Sequence, residues 1–210
     1  MNKSQLVDMF QCIREEIESV KEELGNLDAK LGDGDLGITM TNGFSVLPDY
    51  IAGETEENIG KLISKAGMKF SSTAPSTMGF LMGTGLMYAG KMLGDKTLDG
   101  NTYGEFLQGL IAGVEKRGKC STGERTILDA LLPAKEAVLT AQNGGMTEFR
   151  DLAKEAEKGA LNGVEATKNM IPKYGKAAVH KAAAAGEPDQ GALAAYHVIV
   201  GIKKFAEKEV

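Results

Sequence analysis

Apolar positions recur at intervals of three and four residues along nearly the whole chain. Leu6, Phe10, Ile13, Ile17, Val20 and Leu24 make one such stripe, with Ser4 the expected cap at its start. The same period predicts helices over residues 40–51, 59–70 and a methionine-rich 77–93. Thr102-Tyr103-Gly104-Glu105 reads as a capping box opening a helix through Val114. Further helices are expected over 126–141, from Thr147 through Thr167, and from about Gly191 to Glu207. Sustained period-two alternation is absent, as are repeats, low-complexity tails and composition breaks. The pattern therefore predicts an all-α bundle of about eight helices, one domain over 1–210. Two intervening stretches, 26–37 and 172–190, are too long and specific to be simple connectors, and loops of that kind are often functional.

Composition narrows the classes. The 210 residues carry 24 Lys and Arg against 29 Asp and Glu, a net charge of −5, which argues against binding nucleic acid through phosphate contacts. Apolar residues make up 42% and charged residues 25%, ordinary for a folded domain. No apolar run approaches the roughly 18 residues needed to cross a membrane. The charged N-terminus resembles neither a signal nor a transit peptide. The two cysteines, Cys12 and Cys120, form no framework, so a cytoplasmic home is expected. With two histidines, His180 and His197, a histidine-based zinc site or catalytic triad is improbable. The 27 glycines call for turns or for backbone approaching a ligand.

Three motifs mislead. Gly32-Asp33-Gly34-Asp35-Leu36-Gly37 matches the dinucleotide fingerprint by letter, but no buried strand precedes it and its carboxylates would repel pyrophosphate. Gly113 to Cys120 imitates a P-loop, with Cys where the metal-binding Ser or Thr belongs and a helical pattern in front. An EF-hand from Asp33 or Asp28 ends on Phe44 or Thr39, not on the required Glu.

Three constellations remain. Asp28, Asp33 and Asp35 lie within eight residues of each other in a glycine-rich stretch. A hard divalent cation would relieve their repulsion and could hold phosphate in turn, since Mg²⁺ takes one or two protein carboxylates and completes its shell with water and phosphate oxygens. A solvated acidic turn capping the next helix is an equal alternative. Around Arg117 to Asp129, Thr126 stands at a helix start, either as a plain cap or as part of an anion site. Lys176, with Asp189 to Ala192, supplies either a phosphate contact or a surface loop. His197, on an apolar helix, reads as a core histidine, and the spaced methionines as core packing.

Taken in order, these segments resemble the family of dihydroxyacetone kinase L subunits, whose pattern L-D-x-x-[IL]-G-D-x-D-x-G is met throughout by Leu27 to Gly37. R-G-K-x-x-x-G-x-[KR]-T-x-x-D fits Arg117 to Asp129, and G-[RK]-A with D-x-G-A fits Gly175 to Ala177 and Asp189 to Ala192. The resemblance implies a barrel-like bundle of eight antiparallel helices binding ADP or ATP and two Mg²⁺ ions at one end. By position, Asp28, Asp33 and Asp35 inherit the metals. Leu36, Gly37, Ile38, Thr39, Thr77, Met78, Gly118, Thr126, Lys176, Asp189, Gln190 and Gly191 inherit the nucleotide, the last few as part of a lid. The implied partners are a phosphocarrier M subunit, which recharges the bound ADP, and a K subunit that holds the triose. An ATP-dependent kinase subunit for another short ketose such as a tetrulose, and a nucleotide sensor docking on a transcriptional regulator, are the alternatives. The chain departs from the pattern at Leu36 (usually His), Thr39 (usually Asn), Pro75 to Met78, Lys176 (usually Arg) and Gln190 (usually Pro), which alters the phosphate cradle and leaves the metal clamp intact.

Overall fold

A computed structural model describes residues 1–174, 178 and 184–208. Among them are ten helices and no strand: α1 (Lys3–Ser19), α2 (Lys21–Leu31), α3 (Leu36–Ser45), α4 (Leu47–Gly53), α5 (Ile59–Thr73), α6 (Thr77–Leu93), α7 (Tyr103–Gly118), α8 (Leu128–Asn143), α9 (Phe149–Thr167) and α10 (Gln190–Lys208). Eight of them close a ring in the order α1, α3, α5, α6, α7, α8, α9, α10 and back to α1. Their directions alternate around it, so the all-α expectation holds. The short α2 and α4 are the surplus over eight, set between the ring helices α1, α3 and α5.

Local chemistry explains where the predicted segments divide. The first stripe breaks at Val20, whose ψ of 10° ends α1. The cap of α1 is Asn2, whose side chain accepts from Gln5 N, not Ser4. The expected loop 26–37 is shorter than its polarity suggests, because α2 runs on to Leu31 and leaves 32–35 as the turn. Residues 40–51 divide at Val46, where Pro48 in the first turn of α4 suits a fresh start. Thr102 makes no side-chain cap, since its hydroxyl donates to Thr97 O, and α7 continues beyond Val114 to Gly118.

The glycines depart from the expectation of turns and ligand approach. Many lie mid-helix, at seams where a Cβ would collide with a neighbouring backbone: Gly67 and Gly83 between α5 and α6, Gly109 and Gly113 between α6 and α7, Gly159 and Gly163 between α8 and α9. Each costs roughly 0.5–1 kcal/mol of helix propensity relative to Ala. In return the helices approach closely enough for few aromatics to fill the core. Pro133 inside α8 belongs to the same seam: it cannot donate to the Asp129 carbonyl one turn back, and Gly163 packs against that carbonyl.

The ring has two ends. Met1, Glu54, residues 94–102 and 143–149 lie at one, where the N-terminal amine donates to Thr97 Oγ1 and Leu98 O and Gln142 reaches Gly100 O. The turn 32–35, residues 74–78 and 118–127, the end of α9 and the start of α10 lie at the other. No helix among the described residues is long and apolar enough to cross a membrane.

Candidate functional site

The second end gathers most of the predicted site residues. Asp28 sits on the last turn of α2, buried, with Asp33 and Asp35 exposed in the turn that follows. One carboxylate oxygen from each falls within 4.8 Å of the others. Asp28 Oδ2 also accepts from Leu36 N at 3.2 Å, which fixes its carboxylate against the start of α3. Gly32 leaves room for Asp28, since a Cβ there would press on its Oδ1. Three carboxylates gathered this closely are the donor set that a hard divalent cation takes, with room left for water or phosphate oxygens.

The remaining residues frame that cluster. Leu36 and Gly37 are buried in the first turn of α3, and Ile38 is exposed. Gly37 is pressed on the Lys21 carbonyl, so its smallness serves a close helix crossing. Thr39 is 8% exposed. Thr77 opens α6 and is exposed; Met78 is half-buried. Gly191, Asp189, Met78 and Ile127 converge: a Cβ on Gly191 would meet atoms of all three within 3.3 Å. Gly118 closes α7 beside Leu81 and Cys120. The ion pair Lys30–Glu187, at 2.8 Å, joins the acidic helix to the segment before α10. Lys176 and His180 lie outside the described residues.

Thr126 stands just ahead of a helix start, and its Oγ1 accepts from Leu128 N at 3.2 Å, the capping role of the two that the sequence offers. Helix α8 begins at Leu128, and Asp129 already binds the Gly123 N–H and the Thr126 N–H, the latter at 2.7 Å. The N–H groups in front of α8 are thus largely taken by the protein's own carboxylate. His197 is held inside the seam between α10 and α1, its Nδ1 2.7 Å from Glu16 Oε1, and Lys204 binds the other Glu16 oxygen. Both partners favour the Glu16 carboxylate over burial, so its pKa lies below the usual range.

Asp189 is 5% exposed, and burial pushes its pKa up to about 7 against the opposing Ala192 N–H and the nearby Arg125. Arg125 was not singled out in the sequence, where it is only the basic position before Thr126. It is 2% exposed, and its guanidinium donates to Met170 O at 3.3 Å and Glu187 O at 2.8 Å.

The fold and this cluster define an all-helical domain that gathers three carboxylates at one end of a barrel. The DAK2 domain family matches residues 30–204, and the chain belongs to that family. Among its relatives is the "PEP-dependent dihydroxyacetone kinase 1, ADP-binding subunit DhaL" of Listeria innocua, 28% identical over 85% of this chain and 84% of that one. The L-erythrulose kinase of Pectobacterium atrosepticum is 30% identical over 81% of this chain, which spans 29% of that kinase's length. The crystal structure of the dihydroxyacetone kinase from C. freundii in complex with AMP-PNP and Mg²⁺ shares the fold, with a TM-score of 0.71 over 94% of this chain and 33% of that one at 22% identity.

Proposed function

We propose that this chain is a nucleotide-binding, phosphoryl-transferring subunit of a dihydroxyacetone kinase. The observation that carries the reading is the convergence of the Asp28, Asp33 and Asp35 oxygens at the barrel end that also brings Met78, Ile127 and Gly191 together. The Listeria subunit, matched over most of its length, supports the ADP-binding role, and the AMP-PNP and Mg²⁺ of the C. freundii complex support the ligand class.

In this reading the three aspartates hold two Mg²⁺ ions, and ADP or ATP lies across Leu36 to Thr39, Thr77, Met78, Gly118, Thr126, Lys176 and Asp189 to Gly191. Bound there, the metal ions neutralise phosphate charge and align the attacking and leaving oxygens. The chain's own work is positioning. Asp28 is held on α2 by the Leu36 N–H, so one carboxylate is set before any ligand arrives. Helices α3, α6 and α10 begin at this end, and their first turns add local N–H groups. The described histidine is committed to Glu16, so the acceptor's base and binding groups belong to a partner. A triose-binding K subunit presents dihydroxyacetone, and a phosphocarrier M subunit recharges the nucleotide in place, in a cytoplasmic complex.

The erythrulose kinase of Pectobacterium supports a second acceptor, a ketotetrose. The test of both is turnover with ATP, Mg²⁺ and each ketose. The chain alone is expected to show almost none, because proximity catalysis needs both reactants held in line. Activity should appear on adding a cognate ketose-binding subunit, and the preferred ketose names the acceptor. Robust phosphorylation by the chain alone would overturn the subunit reading.

A further inference from the structure

We infer that Arg125 is a positioning residue for the nucleotide end of the barrel: one buried guanidinium grips the carbonyls of Met170 and Glu187, ties together the two ends of the chain between them, and so sets Asp189, Gln190 and Gly191 against Met78 and Ile127. The inference rests on the nucleotide-binding reading for its consequence, though the clamp itself is a property of the fold.

The position is costly to maintain. A residue with a Cβ at φ 60° occupies the left-handed region, and a guanidinium that is 2% exposed has given up most of its water. What the guanidinium gains is two acceptors from two distant segments. A planar fork with several donors can satisfy both, whereas an ammonium offers a point charge. Contacts on either side run in parallel. Lys173 Nζ pairs with Glu124 at 3.1 Å and Tyr174 OH donates to Lys119 O, stitching the 119–125 stretch to the first segment. Gly186 N donates to Lys168 O and Asp189 N to Thr167 Oγ1, stitching the end of α9 to the second. Arg125 touches both segments at once. Two residues beyond Glu187 stands Asp189, whose Oδ1 accepts from Ala192 N and starts α10. Asp189 faces Arg125 from the loop and Asp129 from α8; Arg125 in turn faces Glu187, which Lys30 of α2 also pairs. Removing Arg125 therefore takes away the positive neighbour of Asp189 together with the clamp.

The experiment uses the full chain and Mg·ADP as the probe. Calorimetry across pH is run on the wild type, Arg125→Lys, Arg125→Met, Asp189→Asn and the Arg125→Met/Asp189→Asn double variant, beside amide exchange of residues 186–193 in the ligand-free proteins. Arg125→Met should weaken binding about 10- to 100-fold, the scale expected of a small misplacement. Lysine should restore part of it. Exchange at 186–193 should accelerate. The pH at which binding changes should move upward in Arg125→Met, and that movement should vanish once Asp189 is Asn, which simple loosening of the fold would not produce. Wild-type affinity in Arg125→Met, with or without faster exchange, overturns the positioning role. If the wild type binds no Mg·ADP, the functional reading fails instead, and exchange alone decides the clamp: acceleration supports it and unchanged protection overturns it.

Discussion

The two ends of the barrel are built from the same material, glycine-marked turns between antiparallel helices, and they differ in how closely they bring carboxylates together. At the end holding Met1, carboxylates are matched locally. Glu54 takes Lys65 at 2.6 Å, Glu105 takes Lys96 at 2.8 Å, and Asp99 caps the N–H groups of Asn101 and Thr102. At the other end three carboxylates crowd within 4.8 Å, and Asp129 and Asp189 are buried nearby. Both described non-glycine residues with positive φ, Lys119 and Arg125, fall at that end as well. So do two buried polar atoms without a protein partner, Arg125 Nε and Gln190 Oε1. Gathered like charge and strained backbone cost stability, and proteins hold them where a ligand uses them. One end spreads its charge and the other gathers it, and in the proposed function the second is the end that binds.

The strongest way to break that contrast is to change the crowded carboxylates. Asp33→Asn or Asp35→Asn keeps the side-chain shape and removes the charge a cation needs. Mg·ADP binding, read by calorimetry, should be lost, while the ligand-free protein keeps its fold and a cooperative melt. Wild-type affinity in both variants would remove the metal assignment.

Asp189 gives the next largest effect. Its folded pKa of about 7 lies above the ordinary carboxylate value, so between roughly pH 4 and 7 the folded state binds more protons than the unfolded one. Its contribution to stability is complete below about pH 4 and is lost as pH rises through 7, on the order of 4 kcal/mol if it acted alone. Asp189→Asn should flatten this slope and stabilise the ligand-free protein at pH 8. Denaturant midpoints at pH 5 and pH 8 check it, and an unchanged slope would show that Asp189 titrates as an ordinary carboxylate.

At the opposite end, Gly100→Ala should cost about 1–3 kcal/mol, because its Cβ would strike the Thr147 carbonyl, yet leave the Mg·ADP affinity of the folded protein alone. Loss of affinity there would mean that the two ends are coupled. The smallest effect is expected at Gly53, where a Cβ meets nothing within 4 Å: Gly53→Ala should be neutral or stabilise by about 0.4–1 kcal/mol in a thermal melt, again without a change in binding.

Much of the contrast was legible in the sequence. The periodicity located the long helices, with 77–93 matching α6 end to end, because an amphipathic stripe facing one core leaves a clear period. The acidic cluster was legible as three aspartates within eight residues, although that spacing alone left a solvated acidic turn equally open. The breaks at Val20 and Val46 were not, since each continues the apolar stripe and only the backbone turns. The seam glycines were misread as turn or ligand glycines because their reason is another helix's backbone, which periodicity does not register. Asp129 occupying the N–H groups before α8 and Arg125 bridging two segments are non-local or loop-borne arrangements, and a one-dimensional motif shows the residue types without the geometry.

The contrast between the ends is tested most directly by adding Mn²⁺·ADP to isotopically labelled protein and reading paramagnetic broadening residue by residue. Resonances of 28–39, 77–79 and 189–191 should broaden beyond detection at low stoichiometry, while those of 54–58, 97–102 and 144–149 stay sharp. Broadening at the latter set, or none at the acidic turn with the nucleotide present, would contradict the placement of the metal and nucleotide at the carboxylate end.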